Sequence, residues 1–69
     1  MADGKRDPRR EPLVGDTVVS DDRKVRRTVA KVWRGTVTYH DGTELKTIDS
    51  ESWKHWCRVR KAKVAKRAQ

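Results

Sequence analysis

Two short glycine turns, Arg34-Gly35 and Asp41-Gly42, cut the stretch between Ala30 and Lys46 into three segments of alternating apolar and polar residues, and this spacing constrains the fold more than any other feature. Alternation with a period of two belongs to strands that bury one face. A two-residue hairpin loop at Arg34 and Gly35 sets Val32 opposite Val37 and Ala30 opposite Tyr39, which lands four apolar side chains on one face. At the second turn, a two-residue loop of Asp41 and Gly42 would oppose Tyr39 to Glu44 and waste Leu45. A three-residue loop of His40, Asp41 and Gly42 opposes Val37 to Leu45 and is the expected register, with Gly42 left-handed in a bulge. The expected inner face is Ala30, Val32, Val37, Tyr39 and Leu45, and the outer face is Lys31, Trp33, Thr36, Thr38 and Lys46. A slip of one residue would exchange the two faces.

The flanks of this meander read less sharply. Residues 1–12 mix charges with Pro8 and Pro12, hold only Met1 and Ala2 as apolar side chains, and are expected as a disordered arm. Val14 to Val19 suggest a first strand entered through a Gly15-Asp16 turn and ended by Ser20, Asp21 and Asp22. After Ile48 the period changes. Asp49 or Ser50 can cap a helix with Glu51 in its first turn, and with Asp49 as the cap Ile48 and Trp53 take the two positions of a hydrophobic staple. Trp53, Trp56 and Cys57 share one helical face, which closes the open end of the sheet. Beyond it two readings stand: residues 58–66 continue as a basic helix, or Cys57, Val59 and Lys61 alternate as a last strand. The favoured reading is a short helix over 50–56, a strand near 57–61 and a mobile tail over 62–69, so that the folded domain spans 13–61.

The fold class is therefore mainly β: a small barrel or curled antiparallel sheet with one short helix and a basic tail. Sixty-nine residues, 33% of them hydrophobic and 41% charged, allow one minimal core, in which Trp53 and Trp56 replace the missing phenylalanines. A single cysteine, Cys57, makes no internal disulfide, which fits a reducing compartment; with neither a membrane-spanning run nor a signal-like N-terminus, the expected location is the cytoplasm.

Val14-Gly15-Asp16-Thr17-Val18 followed by the basic loop Arg23-Lys24 resembles the opening of the KOW group of SH3-like small β-barrels, a likeness that extends to the Tudor group and covers roughly residues 13–60. The chain departs from the KOW pattern in carrying Arg26, Arg27 and Thr28 where a glycine is expected. With Trp33 and Tyr39 on opposite faces there is no aromatic cage for a methylated lysine. The length and style also resemble small accessory proteins of phages and mobile elements. The resemblance implies a binding role and leaves the partner open.

No catalytic pair stands out, because Asp16, Asp21, Asp22, Asp41, Glu44 and Asp49 fall at turns or caps, where carboxylates accept backbone hydrogen bonds. His40, His55 and Cys57 lack the number and spacing of a zinc site, and Cys57 reads as a small buried hydrophobe. No metal, cofactor or small-molecule substrate is expected, and Val59, Ala62, Val64 and Ala65 offer too little apolar area to insert in a membrane. Net charge is +8, and residues 50–69 carry seven basic side chains against one acidic, a block pattern found in arms that bind polyanions. The candidate nucleic-acid-binding residues are Lys54, Arg58, Arg60, Lys61, Lys63, Lys66 and Arg67 in this segment, with Lys31, Trp33, Arg34 and Lys46 on the sheet, where a base can stack on the indole while cations meet phosphates. The expected function is nucleic-acid binding of low sequence specificity. The alternative is a protein-interaction module, an inhibitor, adaptor or assembly component, that docks an acidic protein surface through the same side chains.

Overall fold

The structure, a computed structural model, describes residues 7–68. Five antiparallel strands, β1 (Thr17–Val19), β2 (Arg26–Trp33), β3 (Thr36–Asp41), β4 (Glu44–Asp49) and β5 (Lys63–Lys66), form one sheet in the order β4-β3-β2-β1-β5, with one helix, α1 (Ser50–Val59), between β4 and β5. The two edge strands do not pair, so the sheet is curled and open. No helix among the described residues is long and apolar enough to cross a membrane.

The first hairpin forms as its turn dictates. Arg34 (φ 44°) and Gly35 (φ 78°) are both left-handed, the requirement of a type I′ turn, and Val32 opposes Val37 with Trp33 opposite Thr36. Two registers then differ from expectation. In β2 a bulge at Ala30 sets Val29, not Ala30, opposite Tyr39, so the inner face continues through Val29 to Arg27. At the second turn Asp41 opposes Glu44 across Gly42 and Thr43, with only Gly42 left-handed, and Val37 faces Ile48 rather than Leu45. Ile48 replaces Leu45 on the inner side, while Leu45 turns outward and is 60% exposed. Lys46 moves the other way. It opposes Tyr39 with inner-face parity, yet stays exposed at the sheet edge, where Asp41 (3.5 Å) and Glu44 (3.6 Å) hold its ammonium.

The core consists of Val18, Val29, Val37, Tyr39, Trp53, Cys57 and Ala62, with Ile48 and Trp56 packed against it. α1 lies on this inner side. Asp49 caps it by accepting from the Ser52 N–H (3.3 Å) and hydroxyl (2.6 Å), and Ile48, packed against the core that holds Trp53, takes with it the two staple positions. The helix runs three residues past its expected end. A Schellman motif stops it: Lys61, left-handed at φ 51°, donates to the Arg58 carbonyl, and Ala62 donates to that of Cys57 (2.8 Å) while packing in the core. Cys57 and Val59 are therefore helical, and the last strand is β5 at Lys63–Lys66, inside the segment expected as a mobile tail.

Of the expected disordered arm, residues 1–6 lie outside the described residues. Residues 7–12 form a turn instead: the Asp7 carbonyl accepts from Arg10 (2.9 Å) and Glu11 (2.8 Å), and Pro8 and Pro12 are buried. The indole Nε1 of the fully buried Trp53 donates to the Pro8 carbonyl at 3.1 Å, a bond that satisfies the largest core side chain and anchors the turn together. At the other end, the buried carboxylate of Asp16 accepts from the N–H groups of Leu13 (2.7 Å) and Ala68 (2.6 Å), which ties the entry to β1 to the exit from β5.

Candidate nucleic-acid interface

Trp33 ends β2 on the face away from α1, and its position just before the tight turn leaves the indole 58% exposed. The Arg34 guanidinium lies 5.1 Å and the Lys31 ammonium 5.9 Å from the ring centroid, so two cations cluster on one aromatic side chain. Lys31, Trp33, Thr36 and Thr38 take the outer-face positions expected of them; Lys46 does not join them. Leu45 does lie on this face. The Thr38–Thr47 hydroxyl pair (2.8 Å) intervenes, and strand geometry puts Leu45 about 16 Å from Trp33, so the two do not make one apolar patch.

The C-terminal cations are spread over four places. Lys54 and Arg58, one helical turn apart on the exposed side of α1, wall a cleft of about 530 Å³ whose other wall is the turn over residues 7–10. Lys63 lies at the β1–β5 edge, 3.5 Å from Asp21, where with Arg23 and Arg26 it rims a second cleft of about 430 Å³ floored by Val19 and Val64. Arg60 and Lys61 occupy the turn after α1, and Lys66 and Arg67 are exposed at the end of β5. The block of charge in the sequence is thus no continuous arm.

Most described carboxylates already have work. Asp7 pairs with Arg9 (3.1 Å), whose hydrogen bond holds the acid below its ordinary range; Glu51 pairs with Lys54 (3.4 Å). Asp22 is held low by the Ser20 hydroxyl, and Asp49 by that of Ser52. Arg10, Arg23, Arg26, Lys31, Arg34, Arg58, Arg60, Lys61, Lys66 and Arg67 have no ion-pair partner within 4 Å among the described residues. The surface potential is therefore dominated by free cations.

Three basic residues of interest escaped the sequence reading. Arg27 lies with inner-face parity, its guanidinium 3.9 Å from the Trp56 ring centroid and 4.3 Å from that of Tyr39. The bulge at Ala30 put it there, and no residue in the sequence announces that bulge. Burial lowers its pKa without discharging it. Arg9 and Arg10 stand on the docked turn, for which Asp7-Pro8, an acid followed by a proline preset for a turn, was the available signal. Cys57, at the base of the first cleft, has its thiol pushed up to about 11 by burial and is no nucleophile at neutral pH. Among the described residues no three metal-ligating side chains converge. The chain matches no protein-family model, no curated protein and no solved structure.

Proposed function

We propose that the protein is a non-enzymatic nucleic-acid-binding module of low sequence specificity that acts in the cytoplasm. The observation that carries this reading is the exposed Trp33 with the Arg34 and Lys31 cations about its ring, on a surface where unpaired cations outnumber free carboxylates. An indole face accepts any base by stacking, and adjacent cations meet the phosphates on either side, which yields affinity without sequence preference. The outward side of α1 offers Lys54, paired with Glu51, beside His55 and Arg58, a short cationic surface suited to phosphates.

Exposed apolar side chains, Leu45, Val59 and Val14 among them, favour a protein partner, and the separation of Leu45 from Trp33 weighs against a single docking patch on the outer face. Titration of single-stranded DNA, single-stranded RNA and duplex DNA at two salt concentrations, followed by tryptophan fluorescence, tests the proposal. Binding that tightens as salt falls is expected, and Trp33→Ala should lose about 1–3 kcal/mol on single strands while leaving the salt slope almost unchanged, because stacking releases no counterions. Affinity weaker than about 100 μM for all three at physiological salt would remove the nucleic-acid reading.

A further inference from the structure

The cleft between the turn over residues 7–10 and α1 collects cations from two segments 44 or more residues apart in sequence, and the fold holds both walls in place. Five hydrogen bonds fix the turn, three within it and two to the rest of the fold. Arg10 and Glu11 donate to the Asp7 carbonyl, Arg9 N–H donates to the Asp7 carboxylate (3.0 Å), Trp53 reaches the Pro8 carbonyl, and the Arg9 Nη1 donates to the Ala62 carbonyl at 3.3 Å. The opposite wall is the stretch from Lys54 to Arg58, which reaches into the last turn of a ten-residue helix that is capped at both ends.

Charge inside the cleft is one-sided. Its lining holds Arg9, Arg10, Lys54 and Arg58 against Asp7 alone, a net +3, and the thiol of Cys57 at its base is neutral. Glu51 meets Lys54 in an exposed pair that is worth little, whereas Asp7 holds Arg9 through both carboxylate oxygens (3.1 Å each), so Arg9 serves the cleft as a flanking charge. Arg10 and Arg58 have no such partner among the described residues, and guanidinium groups offer phosphate oxygens a planar fork of donors.

We infer that this cleft is a phosphate seat, in which Arg10 and Arg58 grip one phosphodiester group of the bound nucleic acid while Arg9 and Lys54 flank it. The inference rests on the nucleic-acid reading above and adds to it a second contact point, on the α1 side of the sheet, whereas Trp33 stands on the other side. The seat also gives the N-terminal segment a binding role: its turn presents one of the two gripping arginines.

The test is the double variant Arg10→Gln, Arg58→Gln, measured on a duplex across a salt series beside wild type, Trp33→Ala and the charge-preserving Arg10→Lys, Arg58→Lys. Both arginines are exposed, so the folds of the variants are checked simply by near-ultraviolet circular dichroism. Loss of one neutralised phosphate should flatten the log-log slope by about 0.9, which corresponds to about eightfold weaker binding at 0.1 M salt. The lysine pair should keep most of the slope, and amide shifts of Arg10 and Arg58 should respond to the oligonucleotide in the wild type and in Trp33→Ala alike. Wild-type binding with an unchanged slope and affinity in the glutamine pair overturns the seat and leaves the nucleic-acid reading standing. Failure of wild type to bind any nucleic acid overturns that reading and the seat with it.

Discussion

Replacing Trp53 by phenylalanine separates the two things this side chain does. The indole is fully buried, its ring centroid lies 5.6 Å from that of Tyr39 and 6.5 Å from that of Trp56, and its Nε1 supplies the bond to the Pro8 carbonyl. Burial of about 150–250 Å² at about 25 cal/mol per Å² contributes roughly 4–6 kcal/mol. Phenylalanine keeps most of that area and loses the donor, which strands a buried carbonyl at a cost of about 1–3 kcal/mol, to which the smaller ring adds about 1 kcal/mol of cavity. The expected destabilisation is about 2–4 kcal/mol. A chain of this length has a total stability of roughly 3–10 kcal/mol, so Trp53→Phe should remain folded while Trp53→Ala approaches global unfolding. Urea denaturation monitored by far-ultraviolet circular dichroism gives the first number. Hydrogen exchange gives the second, because without its anchor the turn should open locally and the Arg10 and Glu11 amides should exchange much faster than those of β3. A phenylalanine variant with an unchanged urea midpoint and unchanged protection at Arg10 and Glu11 would show that the Trp53–Pro8 bond anchors nothing.

Three further outcomes follow from particular contacts. Arg27→Met should leave stability within about 1 kcal/mol of wild type or raise it, because the buried Nε and Nη1, unpartnered among the described residues, offset the gain from stacking on Tyr39 and Trp56; a loss above about 2 kcal/mol in thermal unfolding would refute this. Lys61→Gly should stabilise the domain by about 0.5–1 kcal/mol, since position 61 is left-handed in the Schellman motif and a side chain there is strained; an unchanged or lowered melting temperature would count against it. Stability should fall as pH rises from about 9 to about 11, because the folded state keeps Cys57 protonated over a range in which the unfolded chain ionises it. The full contribution is present below the unfolded value, and Cys57→Ala should remove this component of the alkaline pH dependence.

Local features that the sequence determined are those whose cause lies within a few residues. Arg34-Gly35 dictates a two-residue turn, Asp49 caps α1 because Ser52, three residues on, presents its N–H and hydroxyl to it, and the three- and four-residue spacings of Trp53, Trp56 and Cys57 put them on one helical face. The candidate cations were legible one by one for the same reason, as was the outer position of Lys31 and Trp33. What the sequence left open was decided by competition between nearly equal local choices. The expected three-residue loop of His40, Asp41 and Gly42 gives way to a two-residue turn at Gly42 and Thr43, which prevails because it places Ile48, next to the capped helix and its tryptophans, on the inner side at the expense of Leu45. The bulge at Ala30, which sends Arg27 rather than Arg26 inward, bends β2 between its partners and has no local signature. Lys63–Lys66 becomes a strand because the free edge of β1 needs backbone partners, and residues 7–12 are ordered because the buried Trp53 indole needs an acceptor. Those last two demands arise only once the sheet and helix have met, so the scatter of the C-terminal charges over the surface, and the arrival of Arg9 and Arg10 in one cleft with Arg58, belong to the tertiary structure alone.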